Sequence, residues 1–148
     1  MKKILFTILL SVGFALGAEA QRPVMSELFK VMPDSLMPYL TQNNRLDMID
    51  FMEAKMKAEV ANLLEGKSVM TALTADSLSI DMNNALRVDL MLTNRDDSVV
   101  VCMQKTYQIS EHQVEKTIQY FSTTWCPLSA SEVVSSSLLK RDEELFRH

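Results

Sequence analysis

The sequence predicts an α+β domain: N-terminal helices, one of them long, packed on one face of a four- to five-stranded antiparallel meander sheet, with a candidate C-terminal helix. Three observations lead there. An amphipathic run over residues 46–64 is the only stretch long enough to carry a sheet. After Gly66 the apolar period changes from about 3.6 to 2. The alternating runs that follow can be paired as hairpins with their apolar residues on one face.

The N-terminus is set apart from that domain. Lys2 and Lys3 form a positive start, residues 4–15 are apolar and uncharged, and Ala18-Glu19-Ala20 has the A-x-A form of a cleavage site. Residues 1–20 therefore read as a signal peptide, 21–128 as a single α+β domain and 129–148 as a C-terminal tail or helix. The apolar run is shorter than the roughly 20 residues of a bilayer span. No cysteine stands at the cleavage point to carry a lipid. The expected location is periplasmic or secreted, with no integral membrane segment after cleavage. Losing Lys2, Lys3 and Glu19 moves the formal charge of the 148-residue chain from −4 to −5. An acidic chain argues against nucleic acid, whose phosphates select basic surfaces. A domain of this size buries roughly two-thirds of its unfolded surface and needs no disulfide or metal to fold.

In chain order, Leu28, Phe29 and Met32 predict a short helix that Pro33 interrupts. Asp34 is an N-cap for a second turn holding Leu36 and Met37. Asn43 or Asn44 caps the main helix, with Asp47 three residues after Asn44 in the manner of a capping box. Leu46, Ile49, Met52, Met56, Val60 and Leu63 step by three and four as a core-facing stripe, Glu53 and Lys57 form an i,i+4 pair, and Gly66 is the stop. Strands are expected at 69–73, 78–82, 86–93, 98–107 and 114–121. Leu73 would face Leu78, Met82 would face Leu86 and Leu92 would face Val99. Thr71 then meets Ile80, Val69 meets Met82, Ile80 meets Val88, Leu78 meets Leu90, Leu90 meets Val101 and Val88 meets Met103. The opposite face, with Ser77, Ser79, Asp81, Arg87, Asp89 and Thr93, reads as solvated. In the fifth strand Val114, Ile118 and Tyr120 share the inner face with Lys116. Lys105 also falls on that face, so a charge must reach water from the sheet margin. Residues 123–127 then leave the sheet. Ser129 and Glu132 form a capping box for a helix over 133–146, weakened by Ser135, Ser136 and Ser137.

Few residues are grouped for chemistry. The two histidines, His112 and His148, lack Cys or His neighbours at ligand spacing, so no metal site, cofactor or catalytic residue is expected. Cys102 and Cys126 could bridge in an exported protein. A turn near Ser110 places residue 102 opposite about residue 119, too far for a disulfide unless the tail folds back. A catalytic cysteine would have His112 alone as its base. Asp47, Asp50 and Glu53 recur on one side of the main helix, as an acid pair or cation site, or as the solvated face that helix acids usually make; the second is preferred. The eleven methionines could serve an adaptable binding surface, but their place on apolar stripes favours core filling. The lead-in to the main helix is more detailed than a connector needs. Its Pro38, Tyr39, Asn43, Asn44 and Arg45 are the candidate binding residues.

The run from Pro33 to Phe51, PDSLMPYLTQNNRLDMIDF, resembles the signature of an exported Bacteroidales family known as domain of unknown function 3256. Residues 57–68, Leu73-Thr-Ala-Asp76 and Tyr120-Phe-Ser-Thr-Thr-Trp125 are similar to it as well, so the likeness runs to about Leu128. It implies an envelope or secreted location in a Gram-negative cell and no activity. The order of helices and meander also resembles folds of the β-lactamase-inhibitor-protein type, which carries no function with it. The leading expectation is a non-enzymatic exported interaction module whose partner is another envelope protein. The alternatives are a small-ligand or lipid carrier and a carboxylate-based hydrolase. Oligomeric state is not legible, since an open sheet edge permits a dimer without requiring one.

Overall fold

A computed structural model describes residues 21–95 and 97–129. Two helices, α1 (Met25–Lys30) and α2 (Gln42–Glu53), flank a 3₁₀ turn at Asp34–Leu36. Seven strands follow: β1 (Ala58–Ala61), β2 (Lys67–Leu73), β3 (Ser77–Asn83), β4 (Leu86–Arg95), β5 (Ser98–Ser110), β6 (Gln113–Ser122) and β7 (Pro127–Leu128). They form one antiparallel sheet in chain order. The α+β arrangement holds in this coarse form, but the sheet is larger than the expected four or five strands. The expected signal peptide and the helix over 133–146 lie outside the described residues.

The main helix is the largest correction. It stops at Glu53, and Lys55 turns the chain with φ 56°. The stripe of Met52, Met56 and Val60 steps by four, which is even, so the same residues satisfy strand parity. Strand pairing wins: Ala58 and Val60 alternate inward and face Met70 and Ser68 of β2. Met56 and Leu63 are exposed. The expected Glu53–Lys57 pair gives way to Lys57 Nζ on Glu59 at 2.5 Å. Gly66 closes a β1–β2 turn instead of a helix. There Asn62 Oδ1 accepts from the N–H groups of Leu64 and Gly66, and Asn62 Nδ2 donates to Ser68 Oγ and the Met82 carbonyl.

The cap also moves. Thr41 is the N-cap of α2, its hydroxyl accepting from Asn44 N–H at 3.2 Å while Asn44 Oδ1 accepts from Thr41 N–H at 3.0 Å. That is a reciprocal capping box with Asn at the third position.

The strand faces follow the sequence where the ladders are regular. Leu73 faces Leu78, Ile80 faces Val88 and Leu78 faces Leu90. A bulge at Thr71 puts Met70 opposite Ile80 and Val69 opposite Asp81, so Met70 is buried and Thr71 exposed. An irregularity near Met82 leaves Asn83 opposite Leu86. In β4–β5 the pairing slides by two, Leu92 meeting Val101 and Leu90 meeting Met103, which keeps the apolar face. In β5–β6 Cys102 meets Tyr120 instead of residue 119. That one-residue difference sends Ile118 and Tyr120 to the outer face and brings Phe121 in, because side-chain direction alternates. The chain does not leave the sheet after Thr123. Trp125, at φ 63°, turns it so that Pro127 and Leu128 pair with Phe121 and Tyr120.

One core lies between helices and sheet. Met25, Phe29, Met32, Met37, Leu40, Met48 and Ile49 pack on Met70, Leu78, Ile80, Val88, Leu90, Val101 and Phe121. Methionine is core filler here, as the stripes predict. Trp125 Nε1 donates to the Leu28 carbonyl at 3.0 Å and pins α1 to the far end of the sheet. The outer face is not solvated as expected: Asp89 is 7% exposed, and Val100, Cys102 and Tyr120 form a second buried cluster.

Candidate functional site

The corner between Pro33 and α2 is held by a buried cation. Arg45 is 1% exposed. Its Nη1 donates to Asp34 Oδ1 at 2.8 Å and to the Leu40 carbonyl at 3.0 Å, and its Nη2 donates to the Met32 carbonyl at 2.7 Å. The guanidinium also stands 5.9 Å from the centre of the Phe29 ring. A planar fork with several donors suits this task, gathering the carbonyls that follow α1 and precede α2. Of the five candidate binding residues, Arg45 thus faces inward, Asn44 is the helix cap, and Asn43 is exposed on α2.

Pro38 and Tyr39 remain, and the corner sets them over the inner face of the sheet. With Leu36 and Met37 above, and Met82, Leu86, Val88, Lys105 and Tyr107 below, they line a notch of about 110 Å³. Its lining combines apolar residues with Tyr39, Tyr107 and Lys105. Lys105 pairs with Val88 in the ladder and is half-buried. Among the described residues it makes neither a hydrogen bond nor an ion pair. The sequence signalled Lys105 as a charge on an apolar face, but not that the Pro38–Tyr39 corner would sit above it. No sequence period joins positions so far apart.

A larger open groove of about 510 Å³ lies around the β3–β4 turn, lined by Lys67, Asp81, Asn84, Arg87, Thr106 and Gln108 among others. Its charges already have partners. Arg87 Nη1 donates to Asp81 Oδ1 at 3.2 Å, and Arg87 Nε donates to Asp89, which also accepts from Ser79 Oγ at 2.6 Å. Lys67 Nζ meets Glu59 at 2.6 Å. The Lys57 and Lys67 ammonium groups bonded to Glu59 lower its carboxyl to about 2. The bond to Glu59 in turn raises Lys67.

Asp47, Asp50 and Glu53 are exposed on α2 and line neither cavity. Among the described residues no three His, Cys, Asp or Glu side chains come together as metal ligands. Cys102 is buried, Cys126 is exposed, and no disulfide joins them. No helix among the described residues is long and apolar enough to cross a membrane.

The family described as "Protein of unknown function (DUF3256)" matches residues 16–144. Among solved structures, the fold is similar to that of a domain of an uncharacterized protein from Porphyromonas gingivalis W83. The TM-score is 0.61 at 20% identity, over 75% of this chain and 56% of that one. The likeness at that identity is one of fold, and the chain spans little more than half the length of that structure. No curated protein matches the chain.

Proposed function

Since the chain belongs to the DUF3256 family of proteins of unknown function, we propose a role from its own surface: a non-enzymatic, exported interaction module. Its notch receives one apolar side chain of a partner protein, with a neighbouring carboxylate on Lys105. The observation that carries this reading is the Lys105 amine, set without a partner among the described residues beside an apolar notch and two tyrosines. Lys105 is half-buried as a residue, and an ammonium held beside an apolar wall is best matched by an anion or a strong acceptor. The open groove offers no such unmet charge.

Size separates this reading from the carrier alternative. Small-molecule pockets commonly enclose about 300–1,000 Å³, and an apolar cavity of roughly 150 Å³ takes one benzene. A notch of about 110 Å³ suits a single side chain, not a lipid chain. The hydrolase alternative needs a sheltered carboxylate with a shifted pKa, and the acids of α2 stand in solvent. Export rests on the sequence of residues 1–20. The partner is then another envelope protein in the periplasm or outside the cell.

The test is a comparison of two baits in the envelope of the native cell, the parent and Lys105→Glu, each carrying a photo-cross-linker at Pro38. The parent should capture one defined partner that the variant loses, and a partner peptide holding an apolar residue beside an acid should compete. Equal capture by both baits, or no cross-link from the parent, rejects the notch as the docking site.

A further inference from the structure

The open groove of about 510 Å³ has a fixed polar floor. Asp81, Arg87 and Thr106 stand side by side on β3, β4 and β5, on the face opposite Ile80, Val88 and Lys105. Arg87 is held from two sides. Its Nε donates to both oxygens of Asp89, at 3.1 and 3.2 Å, and its Nη1 donates to Asp81 Oδ1 at 3.2 Å. Asp89 is 7% exposed and also accepts from the Ser79 hydroxyl, so the carboxylate that holds Arg87 is itself held. Arg87 Nη2 and Asp81 Oδ2 have no hydrogen-bond partner among the described residues, and their side chains are 41% and 48% exposed. A free donor and a free acceptor thus belong to one fixed pair. Beside them, Asn83 Oδ1 accepts from the N–H groups of Ala85 and Leu86, each at 2.8 Å, which sets the turn that carries Asn84.

We propose that this groove binds a neutral sugar of about two rings, with Arg87 and Asp81 on neighbouring hydroxyls. The lining selects that chemistry. Arg87 is matched by Asp81 and Asp89, and Lys67 by Glu59, so a charged ligand would have to break a pair that already exists. The floor comes from β2, β3, β4 and β5, each with a strand on both sides. No strand edge there is open to a peptide backbone, and recognition falls to side chains. A diol fits what they offer: one hydroxyl accepts from Arg87 Nη2 and its neighbour donates to Asp81 Oδ2. Val69, Ala85 and Leu86 supply apolar surface for the C–H groups of a ring. An apolar cavity of roughly 150 Å³ takes one benzene, so about 510 Å³ has room for about two sugar rings with their hydroxyls. Because the pair is already fixed by Asp89, binding loses little side-chain freedom. The groove lies on the face opposite the notch, and the proposal stands whether or not the notch binds a partner.

The test is a titration of the full chain with cellobiose, maltose and diacetylchitobiose, read in the side-chain N–H resonances. At least one of these sugars should shift the Arg87 Nε–H and the Asn84 and Gln108 amides saturably. Glucuronate and an end-blocked glycine–serine peptide should leave them in place. Asp81→Ala removes the acceptor while Arg87 keeps Asp89, and should weaken the sugar about tenfold, the loss of one charge-assisted hydrogen bond. No saturable shift from any of the three sugars overturns the proposal. So does tighter binding of glucuronate or of the peptide, or an undiminished affinity in folded Asp81→Ala. If Asp81→Ala loses the fold, Gln108→Ala at an exposed position carries the same test. Weaker binding there supports the site, and the parent's affinity rejects it.

Discussion

Arg45 and Lys105 both reach into the layer between helices and sheet, and the protein treats the two cations in opposite ways. Arg45 is sealed in, and its charge is spread over Asp34, two carbonyl oxygens and the face of Phe29. Lys105 comes up from the sheet to the notch with no acceptor among the described residues. Burial with partners makes a cation part of the scaffold. Partial burial without one leaves an unmet demand that a second molecule can satisfy. Motif reading grouped Arg45 with the binding residues because it sits in the detailed corner. The structure places it as the corner's bolt.

The same substitution at both sites separates these roles, and the larger effect belongs to Arg45. Arg45→Met keeps the length of the side chain but strands the carbonyls of Met32 and Leu40 under a buried layer. Breaking a buried pair from one side costs about 3–5 kcal/mol. Asp34 is largely exposed, which places the expected loss near the lower end, about 3 kcal/mol, readable as a lower urea midpoint at unchanged slope. A loss under about 0.5 kcal/mol, the range of ordinary surface substitutions, would remove Arg45 from the scaffold.

Lys105→Met should move the other way. An ammonium without a partner on an apolar face costs desolvation, and methionine relieves that while filling the same space. The expected gain is about 0.5–1 kcal/mol, a stability increase coupled to loss of function as at other sites kept for binding. Capture of the partner at Pro38 should fall with it. Destabilisation by Lys105→Met would show that the amine has an acceptor within the protein. The contrast with Arg45 would then collapse.

How far each cation could be read from sequence depends on how its neighbours are supplied. Period and parity are local, so the inner faces of β3 and β4 are legible where the ladder is regular, down to Ile80 against Val88 and Leu78 against Leu90. One extra residue defeats parity, and the bulge at Thr71 and the pairing of Cys102 with Tyr120 both lie beyond what alternation specifies. The helix over 54–64 failed for a related reason. Steps of four fit a helix face and a strand face alike, and the decision came from Asn62, whose four side-chain hydrogen bonds close the β1–β2 turn. Lys105 was visible as an anomaly of parity. Its meeting with Pro38 and Tyr39 is tertiary, in a corner that Arg45 holds together and that the Leu63 N–H, donating to the Tyr39 carbonyl, ties to the β1–β2 turn.

The smallest expected effect comes from the pair that is neither sealed nor unmet. Glu59 accepts from Lys57 and Lys67, both of whose side chains are 72% exposed. The bond from Lys57, then that from Lys67, and then their charges hold its carboxyl at about 2, against 4.5 without them. A carboxyl lowered on folding stabilises above its unfolded value, and that contribution fades as pH falls from about 4.5 through about 2. Water and salt screen such a pair strongly. Glu59→Gln should therefore lower the thermal midpoint slightly at pH 6 in low salt. The gap from the parent should close toward pH 2, and it should narrow at pH 6 in about 1 M salt, where the Debye length is near 3 Å. Hydrogen exchange should place the loss in β1, which Glu59 ties to β2, and leave the corner around Arg45 unmoved. A gap independent of pH and salt would mean that Glu59 acts through packing of its methylenes. Only the Arg45 and Lys105 sites would then distinguish held charge from offered charge in this fold.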